Sequence, residues 1–220
     1  MEKLIYENPL ASEEDIKNFT LEGSAKISFP DGRMRMENAI SAEAGQKANY
    51  VLWCDENFPD NIRIEWDFRP LKEPGLAILF FAAKGINGKD IFDPSIAKRT
   101  GEYPLYHHGD INAFHVSYFR RKEPDERAFH TCNLRKSYGF YLVSQGADPI
   151  PNVADCTGDY KLSLIKKKDF VSFAVNGLTV FTYEDDGKTY GDFLTYGKIG
   201  FRQLAPMIGE YSNLKVFSLE

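Results

Sequence analysis

The chain has 220 residues, 43% hydrophobic and 27% charged, with 27 basic and 32 acidic side chains and a net charge of −5. A chain of this size removes about 70% of its unfolded surface from water and needs no disulfide staples. Its acidic balance excludes nucleic-acid or membrane-surface binding driven by overall charge but leaves room for a local basic pocket. No stretch approaches about 18 consecutive apolar residues, which excludes a spanning helix.

The opening segment, Met1 to Pro9, has no apolar core of signal-peptide length. Cys54, Cys132 and Cys156 are widely spaced and form no Cys-x-x-Cys. Free thiols in a reducing compartment, a cytoplasmic location and no cysteine-built zinc site are the expectations. No repeat or Pro/Ser-rich linker breaks the chain, so one domain over residues 1–220 is expected.

Ser12 to Phe19 is the best helical candidate, with Ser12 as N-cap and Asp15 three residues on. Period-2 patterning dominates the rest. From Ile62 to Phe68 the apolar residues Ile62, Ile64, Trp66 and Phe68 share one face, with Trp66 as core. Pro74 and Gly75 break the chain, and Leu76 to Ala83 is apolar on both faces, as suits a central strand covered on both sides. Tyr160 to Lys166 directs Tyr160, Leu162 and Leu164 inward. A hairpin follows: Phe170 to Val175, then Asn176-Gly177 as a type I′ turn, then Leu178 to Phe181, pairing Val175 with Leu178 and Phe173 with Val180. Lys198 to Leu204 and Ser212 to Leu219 complete the pattern. With 17 Phe, 12 Tyr and 2 Trp and hardly any helix, it predicts an all-β sandwich or barrel.

The block from Tyr160 to Leu178, with Val175-Asn176-Gly177 at its turn, followed by Gly197-Lys198-Ile199-Gly200-Phe201-Arg202, resembles the C-terminal half of concanavalin-A-like lectin/glucanase domains. Tyr106 to Arg121 and Asn133 to Phe140 extend the resemblance to a bacterial jelly-roll family often encoded among genes for pectin and rhamnogalacturonan use. It implies a two-sheet antiparallel jelly-roll sandwich, galectin-like, with a concave groove for saccharide. It implies no established reaction.

Candidate site residues follow from the strand patterns. All four histidines, His107, His108, His115 and His130, lie between residues 107 and 130, and His107 and His108 are expected to bind the saccharide with His115. Alternation from Ala113 to Arg121 puts Phe114, Val116 and Tyr118 on one face and His115, Ser117, Phe119 and Arg121 on the other. In a curved sandwich the second set lines the groove. Imidazole and hydroxyl groups bond sugar hydroxyls, and a guanidinium forks a carboxylate. Asn133 and Arg135 share a face opposite Leu134, and Arg202 faces away from Ile199 and Phe201, so these side chains extend the polar floor. Converging basic residues suit a uronate-containing saccharide. Trp53 is a candidate for stacking on a pyranose ring.

An enzyme using the same groove is the alternative. β-Elimination on a uronate needs a cation for the carboxylate, a base and an acid. Arg121 or Arg135, His115, and Tyr106 or Tyr138 supply those types. Glu65 and Asp67 share a face about 7 Å apart. They invite comparison with the paired carboxylates of jelly-roll glucanases, but Arg69 and Pro70 stand where that motif continues, so a solvated face is expected. His107, His108 and Asp110 lack metal-ligand spacing, and no nucleotide or metal motif is present, so no cofactor is expected. The expected partner is an oligosaccharide, with no nucleic acid or membrane. A non-catalytic interaction scaffold is the third class.

Overall fold

The computed structural model describes residues 2–220. Two antiparallel sheets pack face to face. The first is built from β1 (Glu2–Asn8), β3 (Ala25–Ser28), β4 (Met34–Asn38), β6 (Ile62–Lys72), β11 (Tyr160–Lys167), β12 (Phe170–Val175), β13 (Leu178–Glu184) and β15 (Ile208–Leu219). Its order is β13-β12-β11-β6-β15-β4-β3, with β1 pairing the far half of β15. The second is built from β2 (Thr20–Gly23), β5 (Tyr50–Trp53), β7 (Leu76–Gly85), β8 (Ile111–Tyr118), β9 (Thr131–Lys136), β10 (Tyr141–Ala147) and β14 (Lys198–Leu204), in the order β10-β9-β8-β7-β14-β5-β2. This is the sandwich that the alternation allows and the jelly roll that the resemblance implies. No helix among the described residues is long and apolar enough to cross a membrane.

The core between the sheets comes from the alternating faces. Ile62, Ile64, Trp66 and Phe68 of β6 are buried against Leu79, Phe81, Phe114, Val116 and Tyr118 of the facing sheet. Trp66 donates its indole N–H to the Tyr118 hydroxyl at 3.2 Å, which satisfies both polar atoms inside an aromatic layer. The whole run from Leu76 to Ala83 is buried because β7 is covered on both faces, by the core and by a second apolar cluster on the outer side.

Two local expectations change. The segment after Ser12 forms only a 3₁₀ turn over Glu14–Ile16, because the Asp15 carboxylate turns back to accept from Ala11 N and Ser12 Oγ, both at 2.9 Å. In the hairpin, Asn176 and Gly177 have the positive φ values of a type I′ turn and Val175 pairs with Leu178. A bulge between Phe173 and Ala174 then makes Phe181, rather than Val180, the partner of Phe173 and the buried residue.

Candidate functional site

The outer face of the second sheet carries two adjacent rows of side chains, fixed by strand register. One runs Val51, Arg202, Ile78, Ser117, Asn133, Gln145 across β5, β14, β7, β8, β9 and β10. The next runs Trp53, Gly200, Phe80, His115, Arg135, Leu142. Half of this face is roofed by the β7–β8 connection, residues 86–110, which contributes Ile91, Ile96 and Tyr106 to the second apolar cluster with Trp53, Phe80 and Ile78. What remains polar is the part around His115, Ser117, Asn133, Arg135 and Arg202.

Tyr103, just before the short helix Pro104–His107, closes over that part. Its hydroxyl lies 2.8 Å from His115 Nδ1, while Ser137 Oγ lies 3.2 Å from His115 Nε2. His115 is therefore 1% exposed, stacked on Phe80, with both ring nitrogens engaged. Burial, then the neighbouring His107, Arg135 and Arg202, holds its pKa well below the ordinary value. His107 packs against Phe140 and Tyr103 and is held down to about 4 by burial and by His108, Arg202 and Arg135. Both imidazoles are neutral at pH 7, so the positive charge of this face is guanidinium charge.

Three guanidinium groups, Arg120, Arg135 and Arg202, act on the Tyr103 hydroxyl, which burial nevertheless pushes up to about 12. Arg202 is fully buried, with its guanidinium carbon 4.5 Å from the centre of the Tyr103 ring, and donates Nη2 to the Gly101 carbonyl at 3.0 Å. Its Nε and Nη1 have no hydrogen-bond partner. Arg135 lies over the Phe140 ring at 3.7 Å and donates to the Phe140 carbonyl at 2.8 Å. Neither Arg135 nor Arg202 forms an ion pair among the described residues, whereas Arg120 is bridged to Glu126 at 2.7 Å.

A family model described as a domain of unknown function, DUF1961, matches residues 3–216. The chain belongs to the DUF1961 family. It is 53% identical over 212 residues to the uncharacterized protein YesU of Bacillus subtilis strain 168, covering 96% of this chain and 94% of that one. A Bacillus subtilis crystal structure, described as a protein of unknown function with a galectin-like fold, superposes with a TM-score of 0.94 at 51% identity, covering 100% of both chains. At 13% identity, the carbohydrate recognition domain of Emp46p in its potassium-bound form shares the fold alone, with a TM-score of 0.63 over 97% of this chain and 95% of that one.

In this DUF1961 chain several expected site residues lie elsewhere. Phe119 adopts a positive φ of 47°, β8 ends at Tyr118, and the alternation lapses, so Phe119 enters the core. Arg121, expected beside His115, is instead 1% exposed and spends its donors on Asp148 at 3.2 Å, Asn152 at 3.1 Å and the carbonyls of Arg120 and Ile150. Its neighbour Arg120 reaches the polar face, bonding Thr131 at 2.7 Å. Trp53 cannot stack on a sugar: it is buried against Phe80 and Tyr106 and donates to Glu22 at 2.9 Å. Tyr106 is equally buried, accepting from Gly101 N. Tyr138 is exposed, but beside His108 at the end of the sandwich. His108 is exposed, its ring edge-on to His107.

Ser117 and Asn133 do sit side by side under Arg120 and Arg135. Glu65 and Asp67 lie on the outer face of the other sheet, tied to Arg63 and Lys161. The residues missed from sequence are Tyr103, Arg120 and Phe140. Only the Tyr103-Pro104 step before the histidine pair carried a local signal, because Pro favours the first turn of a helix.

Proposed function

We propose that the protein binds an acidic, pectin-type oligosaccharide on the outer face of the second sheet. A uronate carboxylate would lie at Arg135 and Arg120, over the buried Ser117 and Asn133, with a sugar hydroxyl at Tyr103. The observation that carries this reading is the unbalanced charge: Arg135 and Arg202 lack an ion-pair partner among the described residues in a chain with 32 acidic side chains. A planar guanidinium held on an aromatic face is preset for bidentate capture of a carboxylate. The fold shared with the Emp46p carbohydrate recognition domain supports a saccharide as the class of ligand. Three free cysteines suit a reducing compartment such as the cytoplasm.

A second reading, a lyase, draws support from the 2.8 Å Tyr103–His115 contact. Tyr103, passing its proton to His115, would take the ring proton next to the carboxylate. The electron pair would form the new carbon–carbon double bond as the glycosidic oxygen leaves with the proton that His115 had received, relayed through the Tyr103 hydroxyl, so that both side chains return to their starting states.

Calorimetric titration with an oligogalacturonate and a neutral oligosaccharide of equal length tests the binding reading. Arg135→Ala should weaken the acidic ligand about 10- to 100-fold, the range for a lost charged hydrogen bond, and leave any neutral binding unchanged. Equal losses for both ligands would sink it. Appearance of unsaturated uronate absorbance in the same mixtures, abolished by Tyr103→Phe, would decide for the lyase.

A further inference from the structure

We propose that the open end of the sandwich carries a second saccharide site, shaped for a neutral pyranose ring and separate from the arginine face. Two clefts of about 470 and 350 Å³ adjoin there and share Asn112, Asp192 and Leu194, so they form one trough. Together they fall in the range of small-ligand sites. Asn112 lies at the start of β8, on the side of that strand opposite His115 and Ser117. The trough and the arginine face thus lie on different sides of the same sheet and meet at Ser137, which lines the trough and bonds His115.

Aromatic rings form both walls. Tyr141 packs against Tyr190 with centroids 4.9 Å apart, and Tyr138, 57% exposed, stands beside them. Across the trough Tyr196, 47% exposed, carries Lys84 Nζ at 4.0 Å over its ring. Exposed ring faces bury the C–H faces of a sugar while their hydroxyls stay wet. The floor supplies the polar groups. Asn112 Oδ1 is buried with no hydrogen-bond partner, and its amide offers an acceptor and a donor to adjacent sugar hydroxyls. Asp192, on the shared wall, forms no ion pair among the described residues and adds acceptor oxygens.

Charge selects the ligand. The buried Lys136 at this end is consumed by Asp185 at 2.7 Å and by the Gly191 carbonyl at 2.9 Å. That leaves Asp192 against Lys84, with no guanidinium in the lining. A uronate would meet Asp192, whereas an uncharged pyranose meets only hydrogen-bonding groups and rings. The trough is also preformed. Besides the Lys136 contacts, the Asp186 carboxylate accepts from Lys188 N at 2.9 Å and Thr189 N at 2.8 Å, fixing the segment that carries Tyr190 and Asp192. Little ordering is left for binding to impose.

Amide NMR of the full chain, titrated with the methyl glycosides of galactose, rhamnose, xylose and mannose and with galacturonate, tests the proposal. At least one neutral glycoside should shift the amides of residues 112, 138 and 189–196. Those shifts should persist in Arg135→Ala and weaken at least tenfold in both Asn112→Ala and Tyr190→Ala, with the remaining amides of each variant unmoved as the check on folding. Silence in the trough across the neutral panel would overturn the site. So would a stronger response to galacturonate there, or shifts that survive both substitutions. Galacturonate shifts at Ser117, Asn133 and Arg135 report on the arginine face alone, so the two readings fail separately.

Discussion

At Phe119 the chain takes a left-handed conformation with φ near 47°, rare for a bulky residue, and that one residue exchanges the roles of two arginines. Arg121 goes under the sheet to Asp148, and Arg120 rises to the polar face. No glycine or asparagine marks the switch, so alternation read through it assigns the wrong guanidinium. His115 shows the same dependence on long-range packing, because its cover comes from Tyr103 and Ser137, distant in sequence. That cover has a pH consequence. In the native state His115 stays neutral, while in the unfolded chain it takes a proton below about pH 6.5. The unfolded state then binds more protons, so stability falls as pH drops, by up to about 1.4 kcal/mol per pH unit for this group. His107, held at about 4, adds a loss of the same sign between about 6.5 and 4. Urea unfolding of wild type and His115→Gln at pH 7.0, 6.0 and 5.0 (~1 unit apart) should show a shallower pH slope in the variant. Parallel slopes would mean that the imidazole is not held neutral.

Among the elements, β14 is buried along its whole length because its two faces do different work. Ile199 and Phe201 enter the main core, while Gly200 on the outer face leaves room for Trp53 in the neighbouring strand. A Cβ built on Gly200 would come 2.4 Å from the indole ring, and the ring is walled in by Phe80 and Tyr106. Gly200→Ala should therefore cost about 1–3 kcal/mol, the range for overpacking a filled core. It should also alter Trp53 fluorescence; a melt unchanged from wild type would show that the indole can move aside. The strand itself, the β6 alternation and the Asn176-Gly177 turn were legible because each is written in residues close in sequence. The bulge after Phe173 and the burial of Trp53 were not. The first is a slip in register between two strands. The second depends on a connection, residues 86–110, folding back across the sheet. The site was legible in part: Ser117, Asn133 and Arg135 follow from strand parity, while Tyr103 and Phe140 arrive from loops that parity does not govern.

The whole molecule uses its two long connections to make two unlike surfaces. Residues 86–110 roof the outer face of the second sheet and confine its polar part to the arginines. The β13–β14 connection, residues 185–197, walls the trough at the end of the sandwich and is held there by Lys136. Lys136 and Asp185 are 1% and 2% exposed, so the pair is buried and each charge relies on the other. Removing one partner strands a charge in the interior, at a cost of about 3–5 kcal/mol, whereas replacing both with apolar groups of similar size is close to neutral. Lys136→Met should therefore lower stability by that amount and speed amide hydrogen exchange across residues 186–196. Lys136→Met with Asp185→Leu should recover most of the global stability while leaving the connection loosened, because the Gly191 carbonyl still lacks its donor. Binding of an acidic oligosaccharide at Arg135 should be the same in both variants, since that face takes no residue from the connection. Equal destabilisation by the single and double changes would mean that packing around the pair, rather than its charge balance, holds the connection in place.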